Sequence, residues 1–453
     1  MILFNPLDIL YDIIEEICKD IHKYCKNPGK DFIRTRKLPV QKLIKLILEM
    51  HDNSIKTELC ASFPVLDERM TASAFVQQRS KLKAEVFKVI LKKLRQYLDD
   101  SKKFKGCNVY AIDGTDLYYP ENPKSECYIK PDWTRKDGTD VKGYCLLHAN
   151  IIYDVLNKQY IDCIAGPKYG FGGNERAAAS EFIDTYGGKK KIFIMDRGYI
   201  SYNMIEHGNR CGGYYMIRSL VHRGAFKEID ELLDKPVDKW INLKFTVSGK
   251  KEYKKQGYKY YQIIKEHKKD VSELSDFSEK AGKRQWDFEE ACEIRFRVVK
   301  FRINESGKDQ WEVIITNLPS NIFSMDDIKT LYAMRWGIET SFRSLKYAVG
   351  AIQFHSKQDE FVLQELYADL IMYNVTSACG ESIDLPVSKT KHEYKINFKE
   401  AVGIVRKYFR EKIASYTQLC AEIAFNKEPV RRGRKDKRKV RQKAPVYFVY
   451  RVA

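Results

Sequence analysis

A mixed α/β domain flanked by helical regions is the fold class this sequence predicts, and three observations carry it. Residues 1 to about 100 space their apolar side chains three and four apart, the period of amphipathic helices. From about residue 105 short apolar strands alternate with helices, the pattern of a layered α/β domain with a mixed sheet. Beyond about 320 helical spacing returns and holds until a strongly basic tail.

In the first region, DILYDIIEEICKDIHKYC and VQKLIKLILEM read as helices, separated by Pro28-Gly29 and the basic loop Arg34-Thr35-Arg36-Lys37. The stretch TASAFVQQRSKLKAEVFKVILKKLRQYL adds a helix-rich segment with a cationic face of Arg79, Lys81, Lys83, Lys92, Lys93 and Arg95. Such a face is either solvated or a nucleic-acid surface, and both readings stand at this point.

CNVYAID, YCLLHANIIYDVL and QYIDCIA then read as three successive strands. NERAAASEFIDTY follows as a helix with Asn174 placed to cap it. KKIFIMD is a short, fully apolar strand of the buried parallel kind, SYNMIEHGNR a helix, and GGYYMIRS another strand. From 220 to about 320 the alternation stops. WINLKFTVS, YKYYQIIKE, EIRFRVVKFRI and QWEVIITNL are β-type segments, read as a strand-rich insertion. Ser324-Met325-Asp326-Asp327 is a capping-box pattern that opens one long helix, IKTLYAMRWGIETSFRSLKYAV. Further helices are predicted at about 358–379 and 396–424. No repeat of solenoid or propeller period is present.

Composition narrows the function. Lys plus Arg number 80 against 61 Asp plus Glu, a net charge of +19 that favours a polyanionic partner. The tail from Lys427 to Lys443 alone carries +8, enough to attract phosphates without reading sequence. No apolar run reaches the roughly 18 residues of a spanning helix. The start carries Asp8, Asp12, Glu15 and Glu16 where a signal peptide is apolar, so a cytoplasmic protein is expected. The 11 cysteines are scattered without a C-x-x-C pair and read as reduced core residues. No H-E-x-x-H motif occurs among the eight histidines, which argues against a zinc hydrolase.

Two aspartates close predicted strands: Asp113 before Gly114-Thr115, and Asp196 before Arg197-Gly198-Tyr199. Ligands gather outside the carboxyl ends of strands in open α/β sheets, and two carboxylates there suit a hard divalent cation. Acidic residues also end strands simply as turn formers. On the long helix Tyr332, Arg335, Glu339 and Lys346 lie at offsets 0, 3, 7 and 14. At about 100° per residue they share an arc of roughly 60° over about 21 Å of axis. Glu339 and Lys346 are too far apart for the usual helical ion pair, whereas a carboxylate flanked by cations suits metal and phosphate together.

These residues resemble the bacterial DDE transposases of the insertion-sequence-4 family. AIDGT around Asp113, IMDRGY around Asp196, and the Y-x2-R-x3-E-x6-K spacing from Tyr332 to Lys346 carry the resemblance, the last being that family's YREK signature. It implies an RNase H-like catalytic domain whose mixed sheet and helices are interrupted by a β-rich insertion, with helical N- and C-terminal regions. It implies that Asp113, Asp196 and Glu339 are catalytic and hold two Mg²⁺ ions, Mn²⁺ being able to substitute. Tyr332, Arg335 and Lys346 would grip DNA phosphates beside the cut, and Trp311 lies where some relatives stack a Trp on a flipped base. A core Trp is the alternative for Trp311.

The implied organisation is a helical DNA-binding region at 1–104, the catalytic domain at 105–220, the insertion at 221–320, the last catalytic helix at 321–360, and a C-terminal helical region with its basic tail at 361–453. The implied activity is DNA transposition: binding of terminal inverted repeats, metal-dependent cleavage and strand transfer, by a homodimer on transposon-end and target DNA. Family members commonly cut through a hairpin intermediate. Two alternatives remain open, a domesticated or inactive relative that only binds DNA and another RNase H-like nuclease. Asp116 is passed over because the family pattern places the ligand directly before Gly-Thr. His148 reads as a satisfied core histidine. GPKYGFGGNE lacks the Lys-Ser/Thr of a P-loop, so ATP dependence is not expected.

Overall fold

Helices from both ends of the chain pack together against one end of a large mixed sheet. The computed structural model describes residues 5–430, apart from 35–36, 132–142, 170–173, 221–226, 233, 262–285, 306–307, 386–392, 412 and 414. The basic tail beyond 430 therefore lies outside the described residues.

Five helices precede the sheet: α1 (Pro6–Lys19), α2 (Val40–Glu49), α3 (Ile55–Ser62), α4 (Ala72–Arg79) and α5 (Glu85–Tyr97). Their apolar stripes (Leu10, Ile14, Leu43, Ile47, Phe87, Leu91) do not close a bundle of their own. They share one core with the later helices and with Tyr153, Tyr160 and Cys163 of the sheet.

Among the described residues ten strands make the sheet: β1 (Asn108–Tyr119), β2 (Tyr128–Ile129), β3 (Tyr144–Asp154), β4 (Gln159–Pro167), β5 (Lys191–Met195), β6 (Tyr214–Ser219), β7 (Val237–Thr246), β8 (Lys259–Tyr260), β9 (Ala291–Glu305) and β10 (Lys308–Thr316). Their order is β2-β3-β1-β5-β6-β10-β9-β7-β8, with β4 on the outside of β3. β1–β3 and β3–β4 are antiparallel hairpin-type pairings, whereas β5 is parallel to both β1 and β6. Parallel neighbours need crossovers. α6 (Glu175–Tyr186) and α7 (Tyr202–Arg210) supply them, and Asn174 caps α6 by accepting from Ala177 N at 3.2 Å.

The sheet is covered on both faces, and period-two alternation sorts its side chains. Tyr110, Ile112, Phe193, Met195, Ile217, Val313 and Ile315 meet α6 and α7 through Phe182 and Met204. Val109, Ile192, Ile194, Met216 and Ile314 meet Leu331 and Tyr332 on the opposite side. The strands expected as an insertion continue the same sheet: β10 bonds to β6, β9 to β10 and β7 to β9. Of the expected strand at 258–266, only Lys259–Tyr260 is seen as strand, and residues from 262 lie outside the described ones.

Two elements differ from expectation. β1 does not end at Asp113; it runs six residues further, because β3 keeps pairing with it to Tyr119↔Cys145. The single long helix is three pieces: α8 (Met325–Ala333), α9 (Trp336–Ser344) and a π-helical turn over Leu345–Val349. The capping box does open α8, with Ser324 accepting from Asp327 N at 3.2 Å and donating its own N–H to Asp327 at 2.8 Å.

The central helix α10 (Asp359–Glu381) is buried on nearly every side. Its polar residues are satisfied there by partners. Asn374 accepts from Tyr160 N at 2.7 Å and donates to Tyr160 O at 2.8 Å, capping the free edge of β4. Glu365 holds Arg79 of α4 at 2.7 Å. The expected helix at 396–424 is divided into α11 (Phe398–Glu411) and α12 (Tyr416–Phe425). Among the described residues no helix is long and apolar enough to cross a membrane.

Candidate functional site

The parallel register of β1 and β5 ends at Ile112↔Met195. The next residue on each strand is Asp113 and Asp196, so two carboxylates start from neighbouring strands about 4.8 Å apart. Asp196 turns at once into a short 3₁₀ turn, Arg197–Tyr199, which it caps by accepting from Gly198 N at 2.6 Å. A Cβ at Gly198 would sit 2.9 Å from Asp196 Oδ1, so the glycine lets that carboxylate close on the turn without shifting. Asp113 accepts from its neighbour Gly114 N at 2.9 Å. Burial, and then the facing Asp196, push the Asp113 carboxyl up to about 7, against the pull of Arg335 and the Gly114 N–H.

The third carboxylate arrives from α9. Arg335, at the N-terminal edge of that helix, donates through Nη2 to Glu339 at 2.7 Å, and its Nη1 lies 3.7 Å from Asp113 Oδ2. One guanidinium therefore ties the sheet carboxylate to the helix carboxylate, and its own plane rests on the Trp336 ring 5.0 Å away. Arg335 is buried while the Glu339 side chain stays 38% exposed, so the helix holds its cation inward and its carboxylate at the opening.

The donor chemistry fits a hard divalent cation. All three groups offer oxygen, and Asp113 and Asp196 repel one another unless a positive charge compensates them. Arg335 lies where such a charge is needed. Among the described residues no three acidic, imidazole or thiol groups converge as a ready ligand cluster, and the guanidinium stands between Asp113 and Glu339 instead.

The remaining residues singled out by sequence fall in three different places. Tyr332 is buried in the core between α8 and the sheet, its hydroxyl without a hydrogen-bond partner among the described residues and raised above its ordinary range by burial. Lys346 sits in the π-helical turn and donates to the backbone carbonyl of Asp116 at 2.9 Å, on the far half of β1. The expected single helix is thus interrupted by the turn at Met334-Arg335 and the π-helical turn at Leu345–Val349. Among the described residues no contact brings Trp311 to the carboxylates. It shares the parity of Val313, on the face opposite Tyr332, with Lys300 and Arg302 over its ring at 4.8 and 4.7 Å.

Sequence reasoning missed a polar group beside this site. His148 is buried between Asp116 and Glu175, and Lys168 joins Asp116 at 3.0 Å. The available signal was the pair Gly114 and His148, a side-chain-free position on the strand beside an unexplained histidine.

Known proteins share parts of this architecture. The family model described as "Transposase DDE domain" matches residues 105–375, more than half of the chain and the whole span from β1 into α10. No curated protein sequence matches the chain at a significant level. Among solved structures, the chain is similar to the cryo-EM structure of the piggyBac transposase synaptic complex with hairpin DNA. The likeness is 9% identical, covers 93% of this chain and 85% of that one, and has a TM-score of 0.45, too distant to transfer residue roles.

Proposed function

The chain belongs to the DDE-domain transposases, and from that membership we propose that it recognises the terminal inverted repeats of an insertion sequence of the insertion-sequence-4 type and moves it by cut-and-paste cleavage and strand transfer. The observation that carries this reading is the meeting of β1, β5 and α9, where Arg335 joins Asp113 to Glu339 beside Asp196. The sheet with its crossover helices is read as RNase H-like, with the site at the switch between antiparallel β3 and parallel β5 around β1.

Asp113, Asp196 and Glu339 would hold Mg²⁺, two ions in the family's scheme, with Mn²⁺ able to take their place. Bound there, the metal would supply Lewis-acid chemistry for the attacking and leaving oxygens. The chain's own residues do the rest. Asp113 and Asp196 fix their oxygens through rigid strands and adjacent backbone N–H groups. Arg335 is placed to exchange its carboxylate partners for a phosphate oxygen, a fork that guanidinium geometry matches. By the family's signature Lys346 and Tyr332 are the further candidates for phosphate contact, Tyr332 within electrostatic reach of Arg335 and Asp196 and Lys346 bonded to the carbonyl of Asp116.

The N-terminal helices and the basic tail would carry end recognition and sequence-blind attraction respectively, in a dimer assembled on two DNA ends. The test is cleavage of a duplex bearing the element's own terminal repeats by purified protein with Mg²⁺. Cutting at the repeat ends is the expected result. Binding without cutting would favour a relative that has kept only DNA recognition.

A further inference from the structure

On the sheet face away from α9, the β1–β3 register sets Asp116 opposite His148. His148 is 1% exposed. Its Nδ1 lies 2.5 Å from Asp116 Oδ1, and its Nε2 lies 3.3 Å from Glu175 Oε1 without the alignment of a hydrogen bond. Burial disfavours a charged ring, but the two carboxylates outweigh it and raise His148 above its ordinary value. Gly114 makes room for this group: a Cβ there would stand 2.5 Å from His148 Nε2 and 2.9 Å from Glu175 Oε1.

Glu175 borders the candidate metal site. It opens α6, its carboxylate lies over the residue that follows Asp113, and its charge helps to raise Asp113. Tyr199, whose buried hydroxyl has no hydrogen-bond partner among the described residues, feels Asp113, Glu175 and Asp196 together. With its side chain 40% exposed, Glu175 has room to swing once nothing holds it.

We propose that His148 is a positioning residue that restrains Glu175 and Asp116, so that Asp113, Asp196 and Glu339 alone present oxygens to a divalent cation. The proposal rests on the metal reading of those three carboxylates. Cation affinity rises with the number of charged oxygens offered, so release of Glu175 changes binding in a direction that simple loss of structure does not.

The test is Mn²⁺ binding to the full chain without DNA, followed by titration calorimetry. H148A is expected to bind Mn²⁺ about fivefold more tightly than wild type. Adding E175Q to H148A is expected to return affinity to within about twofold of wild type. G114A, which pushes the same ring and carboxylate apart, is expected to tighten binding as H148A does, and carries the test if H148A does not fold. D113N is expected to lose binding in every background. Mn²⁺ binding by D113N as strong as wild type would remove the underlying metal reading. With D113N deficient, unchanged affinity in H148A and G114A, or tightening that E175Q does not reverse, would overturn the role of His148.

Discussion

Arg335 and Glu339 form an ion pair of 2.7 Å within one helical turn, and the same guanidinium reaches back 3.7 Å to Asp113 on the sheet. α9 is therefore tied to β1 by charge at the proposed site, and the apolar contacts of Ile338 and Phe342 hold the helix behind it.

The first consequence concerns Arg335 itself. R335A removes the positive charge between two carboxylates and the fork offered to a phosphate. Loss of a preorganised charged donor at a reacting centre costs about 100-fold or more in rate. R335A is expected to lower end cleavage by that order, with R335K retaining part of it, in single-turnover assays with Mg²⁺. Cleavage by R335A within about threefold of wild type would show that the guanidinium only holds the helix.

The α4–α10 junction should set acid stability. Burial opposes the charged form of Glu365, yet His355 and Arg79 outweigh it and hold the carboxyl at about 2. A folded value below the unfolded one contributes stability above about pH 4.3 that is lost as pH falls towards 2, on the order of 3 kcal/mol. Thermal melts between pH 7 and pH 3 should show that loss. E365Q, which leaves Arg79 buried without its anion, is expected to be less stable at pH 7 by about 3–5 kcal/mol. Its profile below pH 5 should be flatter than that of wild type; an equally steep profile would assign acid sensitivity elsewhere.

The tail from Lys427 to Lys443 holds ten basic residues. Replacing them by serine should reduce the slope of log affinity against log salt by about 0.9 for each phosphate that the tail had neutralised. Discrimination between terminal-repeat and unrelated DNA should change little. A salt slope that stays the same would show that the tail does not touch DNA.

Trp311 already lies under Lys300 and Arg302 on the face of the sheet that Tyr332 does not occupy. W311A is expected to leave end cleavage within about threefold, since stacking on a base is worth about 1–3 kcal/mol only where it occurs. A loss near 100-fold, with flipping reported by a fluorescent base analogue, would restore it to base capture.

Much of this architecture was legible from local signals. The Asn174 and Ser324 caps and the strand, helix, strand order from 105 to 219 are short-range patterns, and the structure contains each of those elements. What escaped depends on partners distant in sequence. β1 outruns Asp113 because β3 pairs with it; the apolar period alone stopped at the carboxylate. The helix breaks at Met334-Arg335 and widens at Leu345–Val349, where Lys346 reaches Asp116, a contact across 230 positions. Arg79 was read as part of a cationic face, but it is buried and bonded to Gln364 and Glu365, which tie α4 to α10. His148 was rightly read as buried, while its two carboxylate partners were invisible without the fold.

Cleavage by E339Q tests the central claim most directly. The substitution keeps the shape of the side chain and removes the charge that Glu339 offers at the mouth of the site. With Mg²⁺ and duplex bearing the element's terminal repeats, E339Q should bind the ends as wild type does in a gel-shift assay and should not cut them. Cutting by E339Q at a rate near that of wild type would contradict the assignment of Glu339, and with it the reading of Asp113, Asp196 and Glu339 as one catalytic site.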